Sequence, residues 1–451
     1  MTPAARPRVL IAGGGIAGLE ALLALRALAG RRVQIDLLSP EADFVHRPRS
    51  VGAPFQLGRP QRLALADVAA EQGAVLHCDA LAAVDPHRHT ATTAAGAELA
   101  YDHLVVAVGA RTGPGLPGAI AFHGQAAVRE LRDITDQLQD GEARRVVFAI
   151  PGDARWPIPL YELALLMATR LADRGTADAE LTVVTPEAAP LEVFGTAASD
   201  AVRGALEGRG ITVVTGVTAD HVDCTHVELS DGTWLAADAV VTLPRLSGPA
   251  VAGLPHDADG FIAVDDHARV RGVQHVFAAG DGTDQPIKQG GLACQQADAA
   301  AAVIAAAAGA PVLPKPVRPV LRALLLTGGL PLFLRAEGDG SASVAAERQL
   351  WWPPGKIAGR YLAPYLDGPS TGPAERRAPL EDRAPAPDLE GDDLEAEHEA
   401  ARDLALTLAD EEARAGDRGR ALEWLNAAEQ IGGTLSPDAA KRRARWAAGE
   451  R

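Results

Sequence analysis

The sequence predicts an α/β protein in which one strand, turn, helix and strand unit occurs twice. The first copy begins with RVLIAGGGIAGLEALLALRAL at 8–28, where a short apolar run precedes a glycine cluster and a helical pattern. The second begins with FAIPGDARWPIPLYE at 148–162, where an apolar run again leads into a helix. Each copy continues into a strand with a similar end, LLSPE at 37–41 and VVTPE at 183–187. This repetition predicts two sheets covered by helices.

The first turn has the glycine spacing of a dinucleotide-binding loop. Gly13, Gly15 and Gly18 fit the pattern G-x-G-x-x-G, with Ile16 and Ala17 between the last two glycines. The glycines permit a tight turn, a close approach of a diphosphate and close packing of helix on strand, and the helix N-terminus offers unpaired N–H groups. The position between a strand and a helix favours a Rossmann-like domain over a purely structural turn.

Composition excludes several classes of function. The chain has 451 residues, 47% hydrophobic and 23% charged, which suggests about three domains at about 150 residues each. A net charge of -16 disfavours nucleic acid as a partner. There is no signal-like N-terminus and no apolar stretch long enough to span a bilayer, so we expect a cytoplasmic protein. Its histidines and three distant cysteines lack the spacing of metal ligands, and we predict no metal site.

Two further segments accompany the glycine loop. LAYDHLVVAVGART at 99–112 and GFIAVDDHARVRGVQHVFAAGDGTD at 260–284 are each a strand that ends in a glycine turn. Together the three segments resemble the FAD signatures of the flavoproteins with two dinucleotide-binding domains, and within them the type II NADH dehydrogenases and sulfide:quinone oxidoreductases. The resemblance covers about residues 8–310.

The resemblance implies FAD as cofactor and an architecture in which the second Rossmann-like domain is inserted in the first. It assigns residues 1–120 and 240–310 to the FAD-binding domain and 121–239 to the second, NAD(P)-type domain. The residues that it places at the flavin outside the first loop are Ala107, Gly109, Gly280, Asp281, Lys288, Gln289 and Gly290.

Asp281 follows an apolar strand, where a carboxylate can accept a hydrogen bond from a ribityl hydroxyl. Its alternative role is to cap a helix. A helix beginning near Gly290 would direct its positive end at the flavin, and Lys288 would add a full charge there, unless it is a solvated surface lysine.

The end of the second strand departs from the usual pattern. The acidic residue expected there to bind a ribose is replaced by Ser39, and Glu41 follows; either side chain could accept the bond. The next segment, DFVHRPRSVGAPF, resembles the family segment with a proline beside the flavin, here Pro48. The adjacent Arg47 either balances charge on the flavin or has only a local role.

The second loop lacks the glycines of the first. Counting back from Glu162, matched to Glu20, places Leu160, Pro157 and Arg155 where the first loop has Gly18, Gly15 and Gly13. Bulky side chains and the loss of proline N–H groups disfavour a nicotinamide cofactor bound in the usual way.

Two explanations of the second loop remain open. It has either drifted after NAD(P)H ceased to be used, or been reshaped for another donor, with Arg155 retaining an anion-binding role. Trp156 would then stack on a planar ligand or, alternatively, staple the loop.

The cysteines do not fit the pattern of the sulfide:quinone oxidoreductases, because the loop at 151–162 has no cysteine and no cysteine follows Cys294. KQGGLACQQADAAA at 288–301 resembles half of a segment that type II NADH dehydrogenases place near the quinone. Cys294 lies inside it, either as a reactive thiol or as a packing residue.

The rest of the chain changes in character. Residues 311–368 predict a small C-terminal region that covers the flavin, lies on a bilayer surface or forms a dimer interface. Residues 369–391 predict a linker. Residues 392–451 resemble a tetratricopeptide-type helical pair, which must pack on the body, on a second subunit or on another protein.

The sequence therefore predicts an FAD-dependent oxidoreductase that moves electrons from an unidentified small donor to a quinone-like or other small acceptor, in the cytoplasm or at the inner face of the membrane. Lys288, Cys294, Arg155 and Trp156 are its candidate catalytic residues. Two alternatives are NAD(P)H oxidation in an unconventional pocket, and a flavoprotein sensor that acts through its tail.

Overall fold

The computed structural model describes residues 6–57, 60–176, 178–337, 343–367 and 435–447, together with isolated helical positions between 406 and 429. The first part of the chain, up to residue 112, contributes most of one sheet. Its elements are β1 (Arg8–Ala12), α1 (Ile16–Ala29), β2 (Gln34–Leu38), β3 (Asp43–Val45), β4 (Arg62–Ala64), α2 (Leu65–Glu71), β5 (Val75–His77), β6 (Leu81–Asp85), β7 (Thr90–Thr93), β8 (Glu98–Ala100), β9 (His103–Val106) and β10 (Arg111–Thr112).

The middle of the chain forms a second parallel sheet with strand order β11-β18-β12-β13-β14. Its elements are β11 (Ile120–Ala121), α3 (Gly124–Asp140), β12 (Arg145–Ala149), α4 (Ile158–Asp173), β13 (Glu180–Thr185), α5 (Thr196–Glu207), β14 (Thr212–Thr215), β15 (Ala219–Val222), β16 (His226–Leu229), β17 (Trp234–Ala236) and β18 (Ala239–Thr242).

The chain then returns to the first sheet. β19 (Leu246–Ser247) pairs with β10, β20 (Val276–Ala278) pairs in parallel with β9, and α6 (Gly290–Ala307) follows. The first sheet has the order β20-β9-β1-β2-β5, with all pairs parallel. The second sheet is thus inserted between strands of the first, as expected for this mixed α/β dinucleotide-binding fold.

The two sheets share individual hydrogen bonds as well as topology. Directly after β2, the Ser39 hydroxyl accepts the N–H of Glu41 at 3.2 Å. Directly after β13, the Thr185 hydroxyl accepts the N–H of Glu187 at the same distance. The pentapeptides LLSPE and VVTPE therefore form the same turn in both units.

The C-terminal region is an antiparallel sheet followed by a short helix, consisting of β21 (Val320–Leu325), β22 (Leu332–Glu337), β23 (Ser343–Ala346) and α7 (Leu362–Asp367). Alternate residues of β21 and β22 join the core of the second domain, among them Leu321, Leu325 and Leu334. These apolar side chains therefore pack the region against the second domain, and its role as a lid, a dimer interface or a bilayer contact stays a prediction.

Glu20 attaches this region to the first domain. The residue is fully buried on α1, and its carboxylate accepts the N–H groups of Tyr361 at 2.8 Å and Leu362 at 2.6 Å. These are amides at the start of α7, where helix N–H groups lack intrahelical partners. Burial raises the pKa of Glu20, and the two N–H groups oppose that shift.

Glu162 attaches the same region to the second domain. It is buried on α4, accepts the N–H of Leu326 at 2.7 Å and forms a buried ion pair with Lys356. Burial raises the pKa of Glu162 and lowers that of Lys356, and each charge partly offsets the shift of the other. The two glutamates matched in sequence thus hold the same region from two sides.

The tail also contacts the body in the residues that the structure describes. Ala409, Leu425, Ala428 and Ala439 form a small apolar cluster, and Trp352 of the C-terminal region packs against it. The predicted linker at 369–391 and the predicted turn at 415–417 lie outside the described residues, and the tetratricopeptide-like pair stays a prediction. Within the described part of the chain, no helix is both long and apolar enough to cross a membrane.

Replacing Glu162 tests the attachment to the second domain. Leaving one charge of a buried pair uncompensated costs about 3–5 kcal/mol, so Glu162→Gln should lower the thermal unfolding midpoint by several degrees. The double variant Glu162→Gln/Lys356→Met buries no charge and should regain most of that loss. The exposed Glu207→Gln on α5 serves as control. A double variant no more stable than the single one would contradict the pairing.

Candidate active site

Four turns meet at one edge of the first sheet. They begin at Gly13, Ser39, Ala107 and Ala279, directly after β1, β2, β9 and β20. Because all four strands are parallel, their carboxyl ends lie at the same edge, which is where open α/β sheets bind ligands. The sequence segments singled out for the flavin are therefore brought together.

The glycines of the first loop fit the roles that the spacing predicts. Gly13 has φ +122°, and a Cβ there would lie 2.1 Å from the carbonyl oxygen of Ala107. A Cβ on Gly18 would lie 1.8 Å from the carbonyl oxygen of Gly13, so α1 could not pack as closely with any other residue. At Gly15 a Cβ would meet nothing within 4 Å, which leaves open space beside the backbone.

The N-terminus of α1 supplies donors for a diphosphate. The first helical hydrogen bond of this turn runs from the N–H of Leu19 to the carbonyl of Gly15, at 2.9 Å. In the described structure, the N–H groups of Ile16, Ala17 and Gly18 bind no other group. Three free amides at the positive end of a helix form an anion site.

The end of β2 favours Glu41 as the ribose acceptor. Ser39 is buried, and its hydroxyl is occupied by the backbone N–H and carbonyl of Glu41. The Glu41 side chain is exposed. Of the two alternatives, the structure therefore favours the carboxylate.

Asp281 lies partly buried at the end of β20, and no donor among the described residues bonds its carboxylate. Burial raises its pKa, while the charges of Lys288 and Arg47 oppose the shift. It is not a helix cap, because α6 begins at Gly290 and is capped by Gln289. A carboxylate that is unsatisfied at this edge fits the hydrogen bond to a ribityl hydroxyl.

Lys288 is buried rather than solvated, with 5% of its surface exposed. Its ammonium donates to the carbonyl of Thr283 at 2.5 Å and lies 4.0 Å from the ring centre of Phe261. Burial, with a contribution from Arg155, lowers its pKa to about 8, while Asp281 opposes the shift. The surface-lysine alternative is wrong.

Two neighbouring predictions need adjustment. The Gln289 side chain accepts the N–H of Leu292 at 2.8 Å and donates to the carbonyl of Arg322 at 2.8 Å, so it joins α6 to the C-terminal region rather than facing a ligand. Arg47 is exposed at the start of a short 3-10 helix that contains Pro48, and its charge partly opposes the rise that burial causes in the pKa of Asp281.

Cys294 has the surroundings of a packing residue. It is 1% exposed in the core between α1 and α6. Burial and the nearby Glu20 and Asp298 raise the pKa of its thiol well above the usual value, which suppresses the thiolate. The structure therefore argues against the reactive-thiol alternative.

The structure matches the residues of the second loop to those of the first differently from the count made along the sequence. Three residues, 13–15, separate β1 from α1, whereas eight, 150–157, separate β12 from α4. The paired strand ends, Ala12 with Leu38 and Ala149 with Val184, place Ile150 opposite Gly13. Counting from the helix instead gave Arg155, because the loop contains an insertion.

Arg155 and Trp156 lie at the cleft but are held by the protein. The Arg155 guanidinium lies 3.8 Å from the carboxylate of Asp259 and 4.8 Å from the ring centre of Phe261, and its carbonyl accepts the N–H of Lys288 at 3.2 Å. Trp156 packs on Phe194, with ring centres 5.8 Å apart. The stapling role of Trp156 is favoured.

Phe261 is the buried ring that both Lys288 and Arg155 contact, and the sequence did not predict it. The contacts of Glu20 and Glu162 were not predicted either, since the sequence marked these residues only as matching positions of the repeat. Only an apolar residue in a glycine-flanked segment marks Phe261 in the sequence, and a long-range contact of this kind leaves no local pattern. A possible metal group, formed by Asp265, Asp266 and His267, is the single one found among the described residues, and Asp265 is occupied by backbone N–H groups.

A cleft of about 750 Å³ opens beside the second loop. Its walls come from the loop itself, from the turn after β13 and from Pro286 and Ile287 of the first domain. The charged and aromatic residues of its lining are Asp153, Arg155, Trp156, Glu187 and Glu192. The cleft occupies the position in the second sheet that corresponds to the diphosphate site of the first.

A glycine turn after β1, an exposed carboxylate after β2 and a cleft at the corresponding edge of the second sheet are typical of proteins with two dinucleotide-binding domains. A family model described as pyridine nucleotide-disulphide oxidoreductase matches residues 7–150 and 161–302. The chain belongs to this family of oxidoreductases, and a flavin is the cofactor that the family implies. The match omits residues 151–160, which is where the second loop departs from the first.

Two curated relatives are similar over most of their lengths. The demethylphylloquinone reductase NdbB of Synechocystis is 28% identical over 392 residues, which cover 77% of this chain and 92% of the relative. An NADH dehydrogenase-like protein of Mycobacterium tuberculosis is 31% identical over 304 residues, 61% of this chain and 72% of the relative.

Solved structures share the fold. The sulfide:quinone oxidoreductase of Aquifex aeolicus has a TM-score of 0.67 at 20% identity and covers 75% of this chain and 86% of its own. A ferredoxin reductase of Rhodopseudomonas palustris has a TM-score of 0.56 at 24% identity, with coverages of 73% and 82%.

Two alanine substitutions separate binding from folding in the first loop. Gly15→Ala adds a methyl group only to the open space, so the flavin content should fall while the unfolding midpoint of the flavin-free protein stays unchanged. Gly18→Ala forces α1 away from the loop and should lower both. The control, Gly204→Ala on α5, has no atom within 4 Å of its added Cβ and should keep full flavin content. Visible absorbance and thermal unfolding measure the two effects. Full flavin content in Gly15→Ala would contradict the assignment.

Proposed function

We propose that the protein is an FAD-dependent oxidoreductase that transfers electrons from a small donor to a quinone-like small molecule. The observation that carries the proposal is the shared edge of the first sheet, where free amides, an unbonded carboxylate and two cations meet. When bound, FAD would supply two-electron chemistry that no side chain provides.

Different residues of the chain bind different parts of FAD. The amides of the first loop bind the diphosphate, Glu41 the ribose and Asp281 the ribityl chain. Ala107, Gly109, Gly280 and Gly290 belong to the backbone that surrounds the ring. Gly109 supports this role most directly, because an added Cβ there would meet nothing within 4 Å, whereas Gly280 and Gly290 pack against side chains of α1.

Lys288 provides positive charge at this site. Its ammonium has a carbonyl and an aromatic face as partners, and no carboxylate lies within ion-pair distance of it among the described residues. Its charge, together with the N-terminus of α6 two residues later, stabilises negative charge that develops on a bound ring. Arg47 adds a second, more exposed cation.

A quinone is the acceptor that the similarities favour, since relatives are named for reducing demethylphylloquinone and for sulfide:quinone chemistry. Thiol chemistry has no support in this chain, because Cys294 is buried while Cys78 and Cys224 are exposed and unpaired. A lipid-soluble acceptor would bring the protein to a membrane surface, so peripheral association belongs to the proposal.

Reoxidation by a quinone tests this function without any natural donor. The flavin is first reduced anaerobically with dithionite, and excess reductant is removed. A soluble ubiquinone or menaquinone analogue should then restore the visible flavin band within seconds, with one quinol formed per flavin. Ferricyanide serves as a control for access to the flavin. Reoxidation by ferricyanide but by neither quinone would reject the quinone-like acceptor.

Lys288→Met should lower the flavin midpoint potential. Losing a nearby cation disfavours the reduced form, and a shift of about 30 mV corresponds to a tenfold change for two electrons. The difference from wild type should be largest below pH 8 and disappear above it, because Lys288 loses its own proton near pH 8. The exposed Lys315→Met serves as control. A potential unchanged at pH 7 would contradict the role of Lys288.

A further inference from the structure

Three histidines lie in a row at the edge of the first sheet opposite to the candidate flavin site. His103 is the first residue of β9, His275 directly precedes β20, and His89 directly precedes β7 of the antiparallel sheet formed by β6, β7 and β8. The ring centres of His89 and His275 are 5.2 Å apart, and those of His275 and His103 are 5.4 Å apart. These three residues are called the histidine row below. Within the described structure they do not bring one nitrogen each within 4.8 Å of one another, so the arrangement is not that of a metal site.

An aromatic side chain from a different core lies at each end of the histidine row. Tyr101 stacks on His89, with ring centres 5.7 Å apart and an angle of 3° between the planes, and it belongs to the core between the first sheet and the β6–β8 sheet. The Phe277 ring lies 6.3 Å from that of His103 and belongs to the core under α1 and α6. The row therefore connects the cores on the two faces of the first sheet.

The backbone of the histidine row also ties the neighbouring strands together. His89 has φ +51° and His275 has φ +63°, which are left-handed conformations uncommon for residues other than glycine. The carbonyl of His89 accepts the N–H of Tyr101 at 3.0 Å, and the carbonyl of His275 accepts the N–H of Leu104 at 2.9 Å. A change in the row therefore acts directly on two backbone hydrogen bonds at the start of β9.

The surroundings of His103 disfavour a positive charge. The titratable groups that face its ring are His275, Asp102 and His89. Burial and the two other histidines lower the pKa of His103, while Asp102 opposes the shift. The Asp102 carboxylate already accepts the backbone N–H of Arg8 at 2.6 Å. Because like charges in contact repel, the three rings cannot all carry a proton while the row is closed.

Hydrogen bonding gives a second reason why the closed row excludes the proton. Among the described residues, neither Nδ1 of His103 nor the hydroxyl of Tyr101 has a hydrogen-bond partner, and both atoms are buried. Burial, together with Asp85, raises the pKa of Tyr101 to about 12, so its phenol stays neutral. Both nitrogens of a protonated imidazole are donors. Protonation of His103 would therefore create a buried N–H at Nδ1 without an acceptor.

Two strands lead from the histidine row to the candidate flavin site. β9 has four residues and is followed by Ala107 and Gly109, and β20 has three residues and is followed by Gly280 and Asp281. At about 3.3 Å per residue, the row lies about 10–13 Å from the flavin ends of these strands. Loosening the start of β9 and β20 therefore reaches the backbone that surrounds the flavin.

We propose that the histidine row is a proton-sensitive joint that controls the release of the bound flavin. While His103 is neutral, the row holds β7, β9 and β20 together. Below about pH 6.5, where a histidine in an unfolded segment takes up a proton, the open joint is favoured because it binds that proton without burial or repulsion. The flavin leaves more rapidly through the open joint. The effect on the flavin rests on the function proposed above, whereas the opening of the joint does not.

Hydrogen exchange measures the joint directly, because the amides of Tyr101 and Leu104 bond to carbonyls of the histidine row. Between pH 7.5 and pH 5.8 their protection factors, corrected for the intrinsic pH dependence of exchange, should fall about threefold to sixfold. About sixfold is the limit for one histidine that stays neutral in the closed joint and titrates near pH 6.5 in the open one. The amide of Ile150, bonded to the carbonyl of Val184 in the second sheet, is the internal control. Equal changes at all three amides would overturn the proposal.

Substitutions in the histidine row test the cause of the response. His275→Asn removes the ring next to His103 and keeps the left-handed backbone, which asparagine tolerates. It should at least halve the pH response of the Leu104 amide and raise the pKa of His103 in an NMR titration. His103→Phe should abolish the response, and His221→Asn, exposed on β15, should leave it unchanged. An unchanged response in His275→Asn would overturn the proposal, even if His103→Phe does not fold.

Flavin release is measured separately, by diluting the holoprotein and following the fluorescence of free FAD. The release rate should rise about threefold to sixfold from pH 7.5 to pH 5.8 in the wild type and in His221→Asn, and by less than half as much in His275→Asn. If the amides respond but the release rate depends on pH equally in all three proteins, the control of the flavin is overturned. A protein that binds no FAD would reject both that control and the proposed function, while hydrogen exchange still decides whether the joint senses protons.

Discussion

The arrangement of the whole molecule depends on two buried carboxylates at the same position of the repeated unit. Glu20 and Glu162 each lie on the helix that follows the first strand of a sheet, and each accepts N–H groups from the C-terminal region. A buried carboxylate without partners is costly, so neither contact can be lost without a large penalty. The C-terminal region therefore fixes the position of the two sheets relative to each other. The cleft between the second loop and Pro286 keeps its shape for this reason.

The two units have diverged only where a ligand is concerned. Their parallel strand pairing corresponds, a buried glutamate follows the first strand in each, and the turns after β2 and β13 share the N–H bond to a serine or threonine hydroxyl. The loops that follow β1 and β12 differ in length and in proline content. If the second unit had simply lost stability, its packing and its hydrogen bonds would both have changed. A change confined to a loop that faces the ligand alters which ligand is bound and leaves the fold intact.

The sequence predicted those parts of the site whose cause is local. A glycine spacing, a strand end and a carboxylate after it are short-range patterns, and the structure places Gly13, Gly18 and Asp281 together at one sheet edge. The environments of Lys288, Gln289 and Cys294 could not be predicted, since they depend on Phe261, Arg322 and Glu20, which are distant in sequence. The count along the second loop was wrong at Arg155 for a related reason. Because the second loop contains an insertion, counting from β12 and counting from α4 match different residues to Gly13. Only the pairing of the strands shows that the count from β12 is correct.

The contacts of the second loop bear on whether it drifted or was reshaped. A loop released from function tends to lose specific long-range contacts, because nothing maintains them. Here Arg155 contacts an acid, a buried ring and a backbone amide of the first domain, and Trp156 contacts Phe194. These contacts fix the loop against the segment that leads to Lys288 while a cleft stays open behind it. A tightly held loop beside an open cleft favours the reshaped alternative over drift, because an unused site would more simply have closed by filling with apolar side chains.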